Sequence, residues 1–249
     1  MNIDLLAEKI YELTPYNYVQ NSPLSRMDPD GLTDYSLNRR TGEVEQVGDK
    51  NDEPDRILKT NRKGEVKYNK NGEAKVAIGG IEQGILRDGQ NLKTEDNLIA
   101  VGGEGQPTQG GVESFALQLS DYIGKEIGGS YFSKDESKNT THVSIGKYEN
   151  NSFQETKSHG NNMKSLFNNS QEANRYTITG LYHTHPGYAG GSIKNSDRLV
   201  PSAKDRGLRD SGLKINNNLL FILLTHPESP GGKSPYRIDY TKGYLIKDR

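Results

Sequence analysis

The chain has 249 residues, with 33 acidic and 32 basic side chains for a net charge of −1, and its mean hydropathy is −0.86. Lys and Arg are scattered among Asp and Glu, so there is no electrostatic footprint for nucleic acid as a partner. The absence of cysteine from the sequence excludes disulfides and thiolate metal sites, leaving His and carboxylate as the available metal ligands.

At the N-terminus, Met1-Asn-Ile-Asp4 lacks the basic start of a signal peptide. No window approaches the roughly eighteen apolar residues that a membrane span needs, so neither a membrane nor a nucleic acid is expected as a partner. Asp28-Pro-Asp-Gly31 has the composition of a turn. Residues 33–75 are dense in Asn, Asp, Lys, Arg and Gly. Within them two echoing segments, Arg40–Val44 and Arg62–Val66, predict short hairpins around Thr41-Gly42 and Lys63-Gly64. Ala100–Gly111 is glycine-rich and reads as a linker with a boundary near Val101. The chain thus divides into 1–32, a polar β-rich extension or linker at 33–100, and a domain at 101–249.

From Val112 the apolar residues Val112, Phe115, Ala116, Leu119, Tyr122 and Ile123 share one helical face. This predicts a helix near 112–127 that runs out at Gly128-Gly129, with Glu126 at a helix-to-strand junction. Strands are expected near 130–133, 141–148, 176–185, 217–225 and 236–247. The uninterrupted run Leu219–Leu224 reads as a buried central strand, and 236–246 as a closing hairpin around Thr241-Lys242. Pro201 and Ser202 open a second helix, 202–211, with Gly212 as its stop. The fold class is α/β, a mixed sheet flanked by helices, with a polar N-terminal extension of short hairpins.

His183-Thr184-His185 closes the strand beginning at Tyr176. Alternate residues of a strand share a face, so both imidazoles address one point. Pro186 and Gly187 stop the strand and leave the pair at an accessible sheet edge. Imidazole is the commonest transition-metal ligand, and two supply half of a tetrahedral zinc site. Asp205, in the first turn of the second helix, completes a His, His, Asp set that leaves one position for water. Ser202-x-x-Asp205 is also a helix-capping arrangement, and the two readings are compatible. Asp197, in the Gly/Ser/Asn-rich segment Gly187–Val200, is a rival third ligand. Asp205 is preferred because Ser202 and the helix preorganise it. Glu126 by itself reads as an ordinary solvated glutamate, although a carboxylate beside zinc-bound water can serve as a proton shuttle. His142 and His226 read as surface or edge residues, and His159 carries no signal.

Glu126-Ile-Gly-Gly129, His183-Thr-His185-Pro186 and Ser202-Ala-Lys-Asp205 together resemble the JAB/MPN (JAMM) zinc metallopeptidases, over roughly residues 110–249. The resemblance implies a deaminase-like sheet and Zn2+ as cofactor, with His183, His185 and Asp205 as ligands. It implies Glu126 as general base and Ser202 as hydrogen-bond donor to the oxyanion. The implied activity is that of a zinc-dependent peptidase or isopeptidase, deubiquitinase-like, acting on a peptide or a ubiquitin-like tail. Sixteen residues separate His185 from Ser202, more than is usual in the family, and this insert predicts an active-site loop.

Tyr16–Asn21 followed by Pro23-Leu-Ser-Arg-Met-Asp28-Pro29-Asp30-Gly31-Leu32 resembles the end of an RHS-repeat core, where a variable toxin joins it. Residues 1–32 are then a remnant of that core, and the whole resembles the JAB-type effector of a bacterial polymorphic toxin. This implies an immunity protein as partner, and either a cytoplasmic location or delivery as part of an RHS toxin. The alternative is a catalytically silent JAB/MPN-fold binding or assembly module, though such modules usually lack the metal residues kept here.

Overall fold

The computed structural model describes residues 33–49, 52–61, 63–148, 166, 170–187, 199–226 and 236–243, and among them ten strands and three helices have defined bounds. The RHS-like segment 1–32, His159, Asp197 with the rest of 188–198, and the second arm of the closing hairpin beyond Gly243 lie outside the described residues. Among those described, no helix is long and apolar enough to cross a membrane.

Four short strands open the chain: β1 (Asp34–Leu37), β2 (Val44–Val47), β3 (Asp55–Leu58) and β4 (Val76–Ile81). They form a sheet in the order β2-β1-β3-β4, with β1 and β3 parallel. The parallel register sets Asp34 opposite Arg56, and the guanidinium grips the carboxylate through two nitrogens in a buried ion pair. Between β3 and β4, Asn61 and Asn69 each begin a turn closed by Gly-Glu, accepting two backbone N–H bonds through the side-chain oxygen. The echo read in the sequence is one of these turns, and Asn69–Glu73 is a further copy eight residues on.

This region is not a loose extension. Tyr35, Leu37, Val44, Ile57, Ile78 and Ile81 are buried in the same hydrophobic cluster as the helix and sheet that follow. Its apolar residues are few on strands of four to six residues, so low hydropathy hides a real inner face.

The second sheet comprises β5 (Asn97–Ala100), β6 (Gly128–Lys134), β7 (His142–Ile145), β8 (Tyr176–Thr184), β9 (Leu220–Thr225) and β10 (Tyr236–Asp239). Its order is β10-β9-β8-β6-β7-β5, with β8 and β9 parallel and the other pairs antiparallel. The strand β5, which falls within the extension of the sequence reading, pairs with β7 at the edge of this sheet. Val101 continues that pairing through Thr141.

Helix α1 (Gln109–Ile123) follows, capped by Thr108, whose backbone N–H and hydroxyl are also held by the Glu82 carboxylate. It ends at Gly124, not at Gly128-Gly129. Gly124 has φ 70°, a left-handed conformation that glycine adopts without a Cβ penalty and that closes a helix. A four-residue helix α2 (Ser170–Ala173) precedes β8, and α3 (Ala203–Ile215) precedes β9.

Two helices cover opposite faces of the six-stranded sheet. Val112, Phe115, Ala116 and Leu119 of α1 pack with Tyr131, Val143, Tyr182, Ile222 and Leu224. Leu208 and Leu213 of α3 pack with Leu181, Phe221, Leu223 and Tyr240. The period of two splits Leu219–Leu224 between the faces, which is why the run carries no polar interruption. Each such fully buried side chain contributes about 1.5–3 kcal/mol.

Helix α3 extends one turn beyond the predicted stop at Gly212. A Cβ on Gly212 would lie 2.8 Å from the Phe221 ring, so this glycine permits close approach of helix to strand and does not end the helix.

Candidate metal centre

The site lies at the C-terminal end of β8, on the face covered by α3. Leu181, His183 and His185 alternate onto that face, and Tyr182 and Thr184 onto the other. The imidazoles are 7% and 5% exposed, and β8 lies between β6 and β9. The expected accessible sheet edge is thus corrected to the buried end of a central strand, which is where a parallel pair leaves its crevice.

Asp205 comes to the histidines from the first turn of α3. Ser202 is the N-cap: its hydroxyl accepts from the Asp205 N–H at 3.2 Å, and the Asp205 carboxylate accepts from the Ser202 N–H at 2.6 Å. That reciprocal box locks the carboxylate, whose Oδ2 stands 3.5 Å from His183 Nε2. Burial opposes the charge on Asp205, but the His183 imidazole and the Ser202 hydrogen bonds overcome it and hold the carboxyl well below the usual range.

The two imidazole centroids are 5.0 Å apart, and one donor atom from each of His183, His185 and Asp205 lies within 4.8 Å of the others. Zinc at its usual ligand distances in a tetrahedron separates donors by about 3.4 Å. The His183–Asp205 contact already matches this. These three residues could hold a metal ion.

Glu126 reaches the same place by register. In the β6–β8 pair Gly128 faces His183, and Thr184 N–H bonds to the Ile127 carbonyl, so continuing the antiparallel count sets Glu126 opposite His185. Glu126 Oε1 is 3.8 Å from His185 Nε2. Its backbone is bracketed by a hydroxyl relay. The Ile127 N–H donates to Thr184 Oγ1 at 2.8 Å, Thr184 donates to Ser120 Oγ at 2.7 Å, and Ser120 donates to the Lys125 carbonyl at 2.6 Å.

Four supporting residues have no role assigned in the sequence reading. Ser120 and Thr184 make the relay. His226 is fully buried, correcting its reading as a surface or edge residue, and its Nε2 bonds Asp121 at 2.7 Å. The other Asp121 oxygen accepts the Gly187 N–H, also at 2.7 Å, tying the turn after His185 to α1 and β9. His142 is half-buried beside Tyr176, where burial and Lys134 lower its pKa. Neither histidine belongs to the metal group. Glu113 lies on the opposite side of the sheet, accepting from the Tyr131 hydroxyl at 2.7 Å.

The fold and site together define a mixed α/β protein with a candidate His-His-Asp metal centre and an adjacent carboxylate. Compared with protein-family models and with curated proteins, the chain matches none.

Proposed function

We propose that this chain is a zinc-dependent peptidase or isopeptidase of the JAB/MPN type, acting as the effector domain of an RHS-type polymorphic toxin. The observation that carries the reading is the convergence of His183, His185 and Asp205 on one point, with the Glu126 carboxylate beside His185. A donor set of two imidazoles and one carboxylate, without thiolate, suits zinc. When bound, zinc supplies Lewis acidity that acidifies water and polarises a carbonyl. Glu126 accepts a proton from the attacking water and returns it to the leaving amine. Ser202 uses its oxygen lone pair for the Asp205 N–H and keeps its hydroxyl proton for the oxyanion, so cap and catalytic donor coexist. The substrate is a polypeptide or a ubiquitin-like tail, and an immunity protein is the expected partner.

The test is metal analysis of protein purified without chelator, followed by hydrolysis of a peptide and an isopeptide-linked library. The expected results are about one zinc per chain and, in Glu126→Gln, full metal content with hydrolysis reduced by roughly 10²–10⁴. A metal-free native protein whose stability ignores chelators sinks the reading. Metal binding without hydrolysis of any substrate favours the silent binding module.

A further inference from the structure

A cleft of about 650 Å³ opens between the two sheets, lined by Asn38, Arg39, Arg40, Thr60, Asn61, Lys67, Lys93, Ile123, Lys125 and Tyr148. Five of these carry positive charge and none is acidic. The cations come from separate parts of the chain: the β1–β2 turn, the repeated Asn turns, the β4–β5 connection and the α1–β6 segment. Against a net charge of −1 for the whole chain, this is a local concentration that the composition conceals.

Three of the five charges are held in place by neutral groups. The Lys93 ammonium donates to the Arg40 carbonyl at 2.6 Å, the Lys125 ammonium to the Tyr148 carbonyl at 3.3 Å, and the Arg39 guanidinium lies over the Tyr122 ring at 5.0 Å. Among the described residues, no carboxylate forms an ion pair with any of the five. Neutral carbonyls and an aromatic face fix an ammonium or guanidinium while leaving its field intact.

We propose that this cleft is a docking site for an acidic polypeptide segment carrying several carboxylates. A single phosphate is met by a few convergent donors, whereas here five cations line a cleft of about 650 Å³. A nucleotide or single-stranded nucleic acid needs an exposed aromatic platform, and the one aromatic lining residue, Tyr148, is 3% exposed with its hydroxyl turned to the Arg39 carbonyl. Lys125 immediately precedes Glu126, so a docked segment lies against the same stretch that carries the candidate base. The inference does not depend on the peptidase reading, because docking is measured without turnover.

The experiment is fluorescence anisotropy of the full chain with a labelled Glu/Gly peptide, its Gln/Gly counterpart, an oligonucleotide and inorganic pyrophosphate. The Glu/Gly peptide is expected to bind, to weaken with added salt, and to bind Glu126→Gln as well as the natural chain. Arg40 and Lys67 are exposed, so Arg40→Ser with Lys67→Ser leaves the fold intact by circular dichroism and weakens the peptide about tenfold or more. The charge-preserving pair Arg40→Lys with Lys67→Arg retains binding. Equal binding of the Gln/Gly peptide, unchanged affinity in the Ser pair, displacement by equimolar pyrophosphate, or tighter binding of the oligonucleotide would each overturn the proposal.

Discussion

Along β8, Tyr182 and Thr184 turn toward α1, while Leu181, His183 and His185 turn toward α3. The α1 side joins a cluster that extends through both sheets and includes Phe115, Leu119, Tyr131 and Ile222, with its polar groups paired in short hydrogen bonds. The α3 side has a smaller cluster, and α3 itself contains no fully buried residue. One strand therefore supplies anchoring on one face and chemistry on the other. Tyr182 and Thr184, which alternate with the two histidines, are buried on the α1 side.

That division is broken most severely by exchanging what each face loses. His183→Ala is expected to reduce metal affinity by orders of magnitude while the metal-free protein keeps its cooperative unfolding transition. Tyr182→Ala, one residue away, should cost about 3–5 kcal/mol in urea unfolding, as large aromatic truncations do. Calorimetric metal titration and denaturation of both variants check the pair. If His183→Ala proves the more destabilising in the absence of metal, the α3 face is structural and the contrast fails.

Parity made much of this legible. His-x-His at a strand end, and an acidic residue three after a helix-opening serine, are local patterns, so the metal group and the capping box could both be read from sequence. The relay through Ser120, Thr184 and Lys125 could not. Its hydrogen bonds join residues 57 and 64 positions apart, and nothing local marks Ser120 as buried. His226 was hidden for the same reason, its partner lying 105 positions back on α1. Gly212 looked like a helix stop because a glycine that permits close packing and a glycine that ends a helix are identical in sequence. The inner face of the first sheet escaped because strands of four residues display only two core side chains each.

Thr184→Val sharpens the comparison by removing one hydroxyl without changing side-chain volume much. It strands the Ile127 N–H and removes the donor to Ser120 Oγ, which keeps its bond to the Lys125 carbonyl, at a cost of about 1–3 kcal/mol. Because that relay holds the Glu126 backbone and no ligand, the variant should bind metal normally but turn over more slowly, with the loss in kcat and little change in KM. An unchanged kcat would mean that the α1 face does not position the base.

The smallest effect probes the α1 face by pH. Burial, with Glu113 alongside, pushes the Tyr131 hydroxyl well above its ordinary range, against a lowering by Arg237. Burial also raises Tyr148, at the other end of the same cluster, to about 12. Both phenols stay protonated in the folded chain at pH values where the unfolded chain, titrating near 10, has begun to release its protons. Above that point the folded state binds more protons than the unfolded state, so stability declines as pH rises from about 10 toward 12 and is complete below about 10. Urea midpoints measured across this interval should fall in the natural chain and fall less steeply in Tyr148→Phe, which lacks the ionisable hydroxyl but keeps the ring. An unchanged slope in Tyr148→Phe would show that this phenol does not carry the alkaline lability of the α1 side.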